Sequence, residues 1–167
     1  MKSLTYLFKD IPKLRTFLES HTLLFSETAK SVLVQVFSSL PDRKVLGRIT
    51  DEIREHIPKA VIVGSTTVGE IIDGQPKVRT VVLSFSFFDE TVLKTFVVAD
   101  PMGTEFEAGK NLMKKINSME EVAGVLLFAT PQSMNVSKLF NGMSEEKFNF
   151  PVFADHQRTL VQSLDLI

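Results

Sequence analysis

The residues best equipped for chemistry stand together in Gly64-Ser65-Thr66-Thr67-Val68-Gly69-Glu70, directly after the apolar run Ala60-Val61-Ile62-Val63. A strand that empties into a glycine-bracketed polar loop presents backbone N–H groups and hydroxyls to a ligand. Gly64 and Gly69 fit the frame G-x-x-x-x-G-K-[ST] of a phosphate-binding loop, but Glu70 stands at the lysine and Ile71 at the hydroxyl. A carboxylate there repels phosphate, and magnesium is left without its hydroxyl, so nucleotide hydrolysis is disfavoured. The nucleophile elbow G-x-S-x-G fails as well, because Ser65 follows Gly64 immediately. What remains is a loop of amides and hydroxyls that holds an anion or a small polar molecule without transforming it.

The other reactive side chains offer less. His21, His56 and His156 are far apart in sequence and lack ligand spacing, and with no cysteine there is neither thiolate catalysis nor a cysteine-based zinc site. His56 suits the C-terminal end of a helix, where an imidazolium favours the dipole. Asp155 and His156 make an acid–base pair, but no serine or cysteine is placed by sequence to complete a triad. The chain is therefore read as non-enzymatic, with no catalytic residues, metal or cofactor.

Several elements must position the loop. Asp10 caps a helix through Pro12, Leu14, Phe17 and Leu18, as part of a helical lead-in over residues 1–30. Val32-Leu33-Val34-Gln35-Val36-Phe37 reads as a buried strand opening into Ser38-Ser39. Asp42 starts a helix with Val45, Leu46, Ile49, Ile53 and Ile57 on one face, stopped by Pro58. Val78 to Phe88 and Val92 to Ala99 read as an antiparallel hairpin around Asp89-Glu90-Thr91. The alternation in Ser84-Phe85-Ser86-Phe87 marks these phenylalanines, with Phe88, as core rather than as an aromatic box. Thr104 and Glu107 form a capping box for a helix over 105–117 that turns Phe106, Leu112, Met113 and Ile116 inward.

Val125 to Phe128 is expected as a buried strand, Met134 to Met143 as a helix and Phe150 to Phe153 as a last short strand. The strand–helix–strand plan of 32–63 thus recurs weakly in 125–153. The fold class predicted is α/β: a mixed, mostly parallel sheet with an antiparallel hairpin and helices packed on it, in a single domain over 1–167 with its core in 31–155. Ligands of open α/β sheets gather beyond the carboxyl ends of strands, which designates Ser38, Ser39, Gly64 to Gly69 and Thr130 to Ser133.

Composition narrows the partners. In 167 residues, 19 Lys and Arg against 20 Asp and Glu leave a formal net charge of −1 with no basic stripe, which favours neither nucleic acid nor a membrane surface. The amino terminus lacks the apolar stretch of a signal peptide, and no run reaches the length of a membrane span, so a cytoplasmic location is expected.

Three ordered segments, Leu33 to Ser39, Ile57 to Ile71 and Val82-Leu83-Ser84-Phe85, resemble the N-terminal part of FIST domains, the family named for F-box and intracellular signal transduction. The resemblance covers roughly residues 30 to 90 and implies a sensory input domain for a small ligand such as an amino acid. It further implies an output module: a histidine kinase, a chemotaxis signalling region or cyclic-di-GMP turnover domains. The family's second, C-terminal region is not in this chain, which marks it as a fragment or a short member. The family's glycine-rich loop is replaced here by Pro151-Val152-Phe153-Ala154-Asp155-His156-Gln157.

On this reading Thr66 and Thr67 donate to a ligand carboxylate or cap a turn, and Glu70 receives an amino group or is a solvated carboxylate. Ser38, Ser39, Gly64, Ser65, Thr66, Thr67, Gly69 and Glu70 are the expected ligand-binding residues. An alternative makes the glycine loop structural and the protein an interaction or dimerisation module.

Overall fold

A computed structural model describes residues 2–23, 29–40, 42–97, 104–128 and 134–147. The chain forms two compact units, Met1–Phe96 and Val97–Ile167.

The first unit holds the sheet. Strand β1 (Lys2–Leu7) leads into helix α1 (Ile11–Ser20), whose start is fixed by Asp10: its Oδ1 accepts from the Lys13 backbone N–H at 2.8 Å. Strand β2 (Ser31–Ser38) is followed by helix α2 (Arg43–His56), where Asp42 Oδ1 accepts from Lys44 N at 2.9 Å and Val45 N at 3.1 Å. The helix gives out at Ile57, before Pro58. Strand β3 (Ala60–Thr66) completes a strand–helix–strand crossover. Two short strands, β4 (Glu70–Ile72) and β5 (Gln75–Lys77), pair across Asp73-Gly74 before β6 (Val81–Phe88) returns.

The four-stranded sheet runs β1-β6-β2-β3. Its class is the mixed α/β expected, but the balance of pairings is corrected: β6 is antiparallel to β1 and to β2, and β2 with β3 is the one parallel pair among the described residues. The expected hairpin between 78–88 and 92–99 is corrected too. A strand has two edges, and β1 and β2 occupy both edges of β6, so none is left for residues 92–97, which form no strand. The lead-in expected to be helical contains β1, whose polar, alternating sequence carries no apolar run.

Rows of side chains cross the sheet. Leu4, Phe85, Val34 and Ile62 stand in one register line and belong to the core under α1 and α2. Leu14, Leu18, Ile49, Ile53 and Ile57 close that core from the helices. Alternation along β6 buries Val81, Leu83, Phe85 and Phe87, as period two requires.

In the second unit, helix α3 (Glu105–Asn117) packs on helix α4 (Val136–Ser144) over Leu112, Met113, Ile116, Leu139 and Met143. Glycines let the backbones close up: a Cβ on Gly109 would lie 2.1 Å from Leu139 O, and one on Gly142 would lie 1.8 Å from Phe106 O. Two expectations are corrected here. Phe106 is not inward, because the inner stripe runs Glu105, Gly109, Leu112, Met113, Ile116 and leaves Phe106 exposed at its rim. Thr104 occupies the N-cap with ψ of 19°, not extended, and its side chain makes no capping hydrogen bond.

The strand expected at 125–128 is not formed among the described residues, and Val125 and Leu126 are exposed. The strand at 150–153 that would close the expected repeat, the pair Asp155–His156, and Thr130 to Ser133 lie outside the described residues.

Candidate functional site

Parallel β2 and β3 bring Ser38 opposite Thr66, so the exits of both strands share one edge of the sheet, and antiparallel β6 starts at the same edge. Two features grow from this arrangement: a cage around Glu70 and a cleft beneath α2.

Glu70 opens β4 and is only 5% exposed. Ser39 Oγ, just past β2, donates to its Oε2 at 2.7 Å. The hydroxyl of Thr80, just before β6, donates to Oε2 as well, and that of Thr67, just past β3, donates to Oε1. Ser39 and Thr80 are also joined to each other, Ser39 N–H to Thr80 O and Thr80 N–H to Ser39 Oγ, both at 3.1 Å. Burial pushes this carboxyl's pKa up, but the hydroxyls of Thr67, Thr80 and Ser39 with the Ser39 backbone N–H outweigh it and hold the group below its ordinary value. One carboxylate thus fastens the ends of three strands. Both of its oxygens are occupied, so the arrangement suits an internal clasp better than a receptor for a ligand's amino group.

The cleft is open to solvent, with a volume of about 300 Å³. Its cause is a missing side chain. In the row Tyr6–Leu83–Val36–Gly64, the last place belongs to glycine, and a Cβ there would lie 2.5 Å from Val36 O. The sheet is thereby left bare at Gly64. Val36, Ser38, Ile62, Gly64 and Thr66 form the floor, Val63 and Ser65 the rim, and Leu46, Thr50 and Arg54 of α2 the wall. The wall residues are spaced by four, one stripe of a helix.

The eight expected residues are therefore divided. Ser38, Gly64, Ser65 and Thr66 line the cleft; Ser39, Thr67 and Glu70 form the cage; Gly69 supports the β4–β5 hairpin, since a Cβ there would lie 2.8 Å from Lys77 O. Within the cleft, Ser38 Oγ is spent on its own turn, donating to Leu40 O at 2.8 Å and accepting from Leu40 N at 3.1 Å. Ser65 Oγ donates to Thr66 O at 3.1 Å and Thr50 Oγ1 to Gly47 O at 2.7 Å. Arg54 and Thr50 were not singled out in the sequence, and Leu46 was read only as part of the helix's apolar face, although their spacing of four on a helix between two parallel strands was visible. Thr80 was missed because nothing local distinguishes it; its role comes from the sheet register.

No helix among the described residues is long and apolar enough to cross a membrane, and no group of three or more metal-ligating side chains occurs among them.

No curated protein and no solved structure matches the chain. The family model for the FIST N domain matches residues 32–153, from the first residues of β2 through α4 and beyond. That span holds the cage, the cleft and the glycine loop, and covers most of the chain: this protein belongs to the FIST N domain family, a family of sensory domains in signal transduction.

Proposed function

We propose that this chain seats a small polar molecule, in the size class of an amino acid, in the cleft between α2 and the ends of β2 and β3. Its role is binding rather than catalysis, and its occupancy is passed to an output module such as a histidine kinase, a chemotaxis region or a cyclic-di-GMP domain. The observation that carries this reading is the cleft itself: a concave space at the carboxyl edge of parallel strands, walled by one helix, with Thr66, Ser65 and Arg54 around an apolar floor. The Glu70 clasp holds the strand ends that form its floor.

A thermal-shift screen against amino acids, small carboxylates and sugars tests it. A ligand present at a hundred times its dissociation constant adds about 2.7 kcal/mol of stability, which raises the melting temperature. Thr66→Val is expected to weaken the bound compound about fivefold, the worth of one neutral hydrogen bond. No rise with any compound would overturn the reading.

A second reading has its own support. Val68, Ile71 and Val78 are 97%, 76% and 69% exposed around the β4–β5 hairpin, an apolar patch of the sort that marks protein contacts. If the domain works by association, Ile71→Asp will abolish it in sedimentation measurements. An unchanged monomeric profile for both chains removes self-association.

A further inference from the structure

The cleft's charge is one-sided, and this bears on what it accepts. Among the described residues Arg54 is the only ionisable side chain that lines it, and no ion pair holds it there. The contrast with Arg15 is direct: that guanidinium is committed to Glu52, through Nε at 2.7 Å and Nη2 at 3.0 Å. No aspartate or glutamate lines the cleft among the described residues. Glu70, the carboxylate of the neighbouring loop, is turned into its ring of three hydroxyls. The Thr66 side chain faces the same space with no hydrogen bond among the described residues, and Val36, Leu46 and Ile62 supply an apolar surface.

From these residues we infer that the cleft selects a small organic carboxylate with an apolar body and no ammonium group. The inference rests on the sensory reading above and narrows its ligand. A guanidinium forks onto a carboxylate through two parallel N–H donors, and the Thr66 hydroxyl adds a third. The apolar body lies over Val36 and Ile62, where removal from water favours it. An ammonium group on the same molecule meets Arg54 as a like charge and finds no carboxylate among the described lining residues to offset its lost hydration. A zwitterionic amino acid is therefore disfavoured relative to the same skeleton without its amino group.

Three probes with one branched body and different head groups test this by calorimetric titration of the full chain: 4-methylpentanoate, leucine and 3-methylbutylamine. The carboxylate is expected to bind about tenfold or more tighter than leucine, with the amine not binding. Arg54→Gln should weaken the carboxylate about tenfold, and Arg54→Lys should restore part of that loss. Arg54 is exposed, so neither change should move the melting temperature of the unliganded chain. Leucine binding as tightly as 4-methylpentanoate, or a carboxylate affinity untouched by Arg54→Gln, would overturn the inference and leave the sensory reading standing. Binding of none of the three overturns it as well, and the broader thermal-shift screen then decides separately whether the domain senses a ligand at all.

Discussion

A carboxylate enclosed by three hydroxyls titrates differently from one in water. Glu70 is held ionised below its ordinary value of 4.5, so the folded state binds its proton less readily than the unfolded state does. The stabilisation is therefore complete above the unfolded value and is lost as pH falls through the lower, folded value. Urea unfolding of the wild type should show stability falling below about pH 4.5, with a shallower fall in Glu70→Gln. At pH 7 the same substitution should cost about 1–2 kcal/mol, because an amide gives up one acceptor and presents a donor to hydroxyls that already donate. An identical pH slope in the two proteins would show that Glu70 does not carry this dependence.

Among the elements, α1 and α2 share a clasp of another kind. Glu52 is 5% exposed although it lies on a surface helix, and Arg15 reaches it from α1 with both faces of its fork. His56 stands on the same side, its Nδ1 3.6 Å from Glu52 Oε1. Hydrogen bonds from Arg15 hold the Glu52 carboxyl below its ordinary value despite burial. Arg15→Met should destabilise the fold, because it leaves the Glu52 carboxylate, itself 5% exposed, without its guanidinium. The loss should shrink in the Glu52→Gln background, where no charge is left unpaired. A double-mutant cycle with no coupling between the two positions would contradict this account.

At the scale of the whole molecule, each unit has its own buried cluster, Leu14 to Phe87 in the first and Leu112 to Met143 in the second. A lesion in one should be read locally. Gly142→Ala places a methyl group against Phe106 O and should cost about 2 kcal/mol or more by forcing α3 from α4. Hydrogen exchange should then lose protection in α3 and α4 and keep it in β2 and β6; equal losses in both would mean that the two clusters unfold as one. For signalling, a ligand that prefers one conformation tenfold shifts the balance by about 1.4 kcal/mol, which is enough to bias an output.

Local signals were sufficient wherever a few neighbouring residues decide the outcome. Asp10 and Asp42 determine where α1 and α2 begin, because a cap needs only an acceptor and the amides next to it. The crossover from β2 to β3 and the polar edge it creates also follow from the order of apolar runs and turns. Asp73-Gly74, with φ of 52° and 72°, carried a local signal for the β4–β5 hairpin that was not used.

Pairing was another matter. That β6 gives both of its edges to β1 and β2, leaving none for 92–97, depends on which strands meet and not on any property of the segment itself. The same holds for the site: Ser39, Thr67 and Thr80 are spread over more than 40 residues and reach one carboxylate because three strand ends share an edge. The sequence by itself determined that polar groups gather after β2 and β3. Only the tertiary structure decided that Glu70 closes on its neighbours while Arg54 faces an open cleft, since the register that places Gly64 beside Val36, and so leaves that space unfilled, is set by long-range contacts.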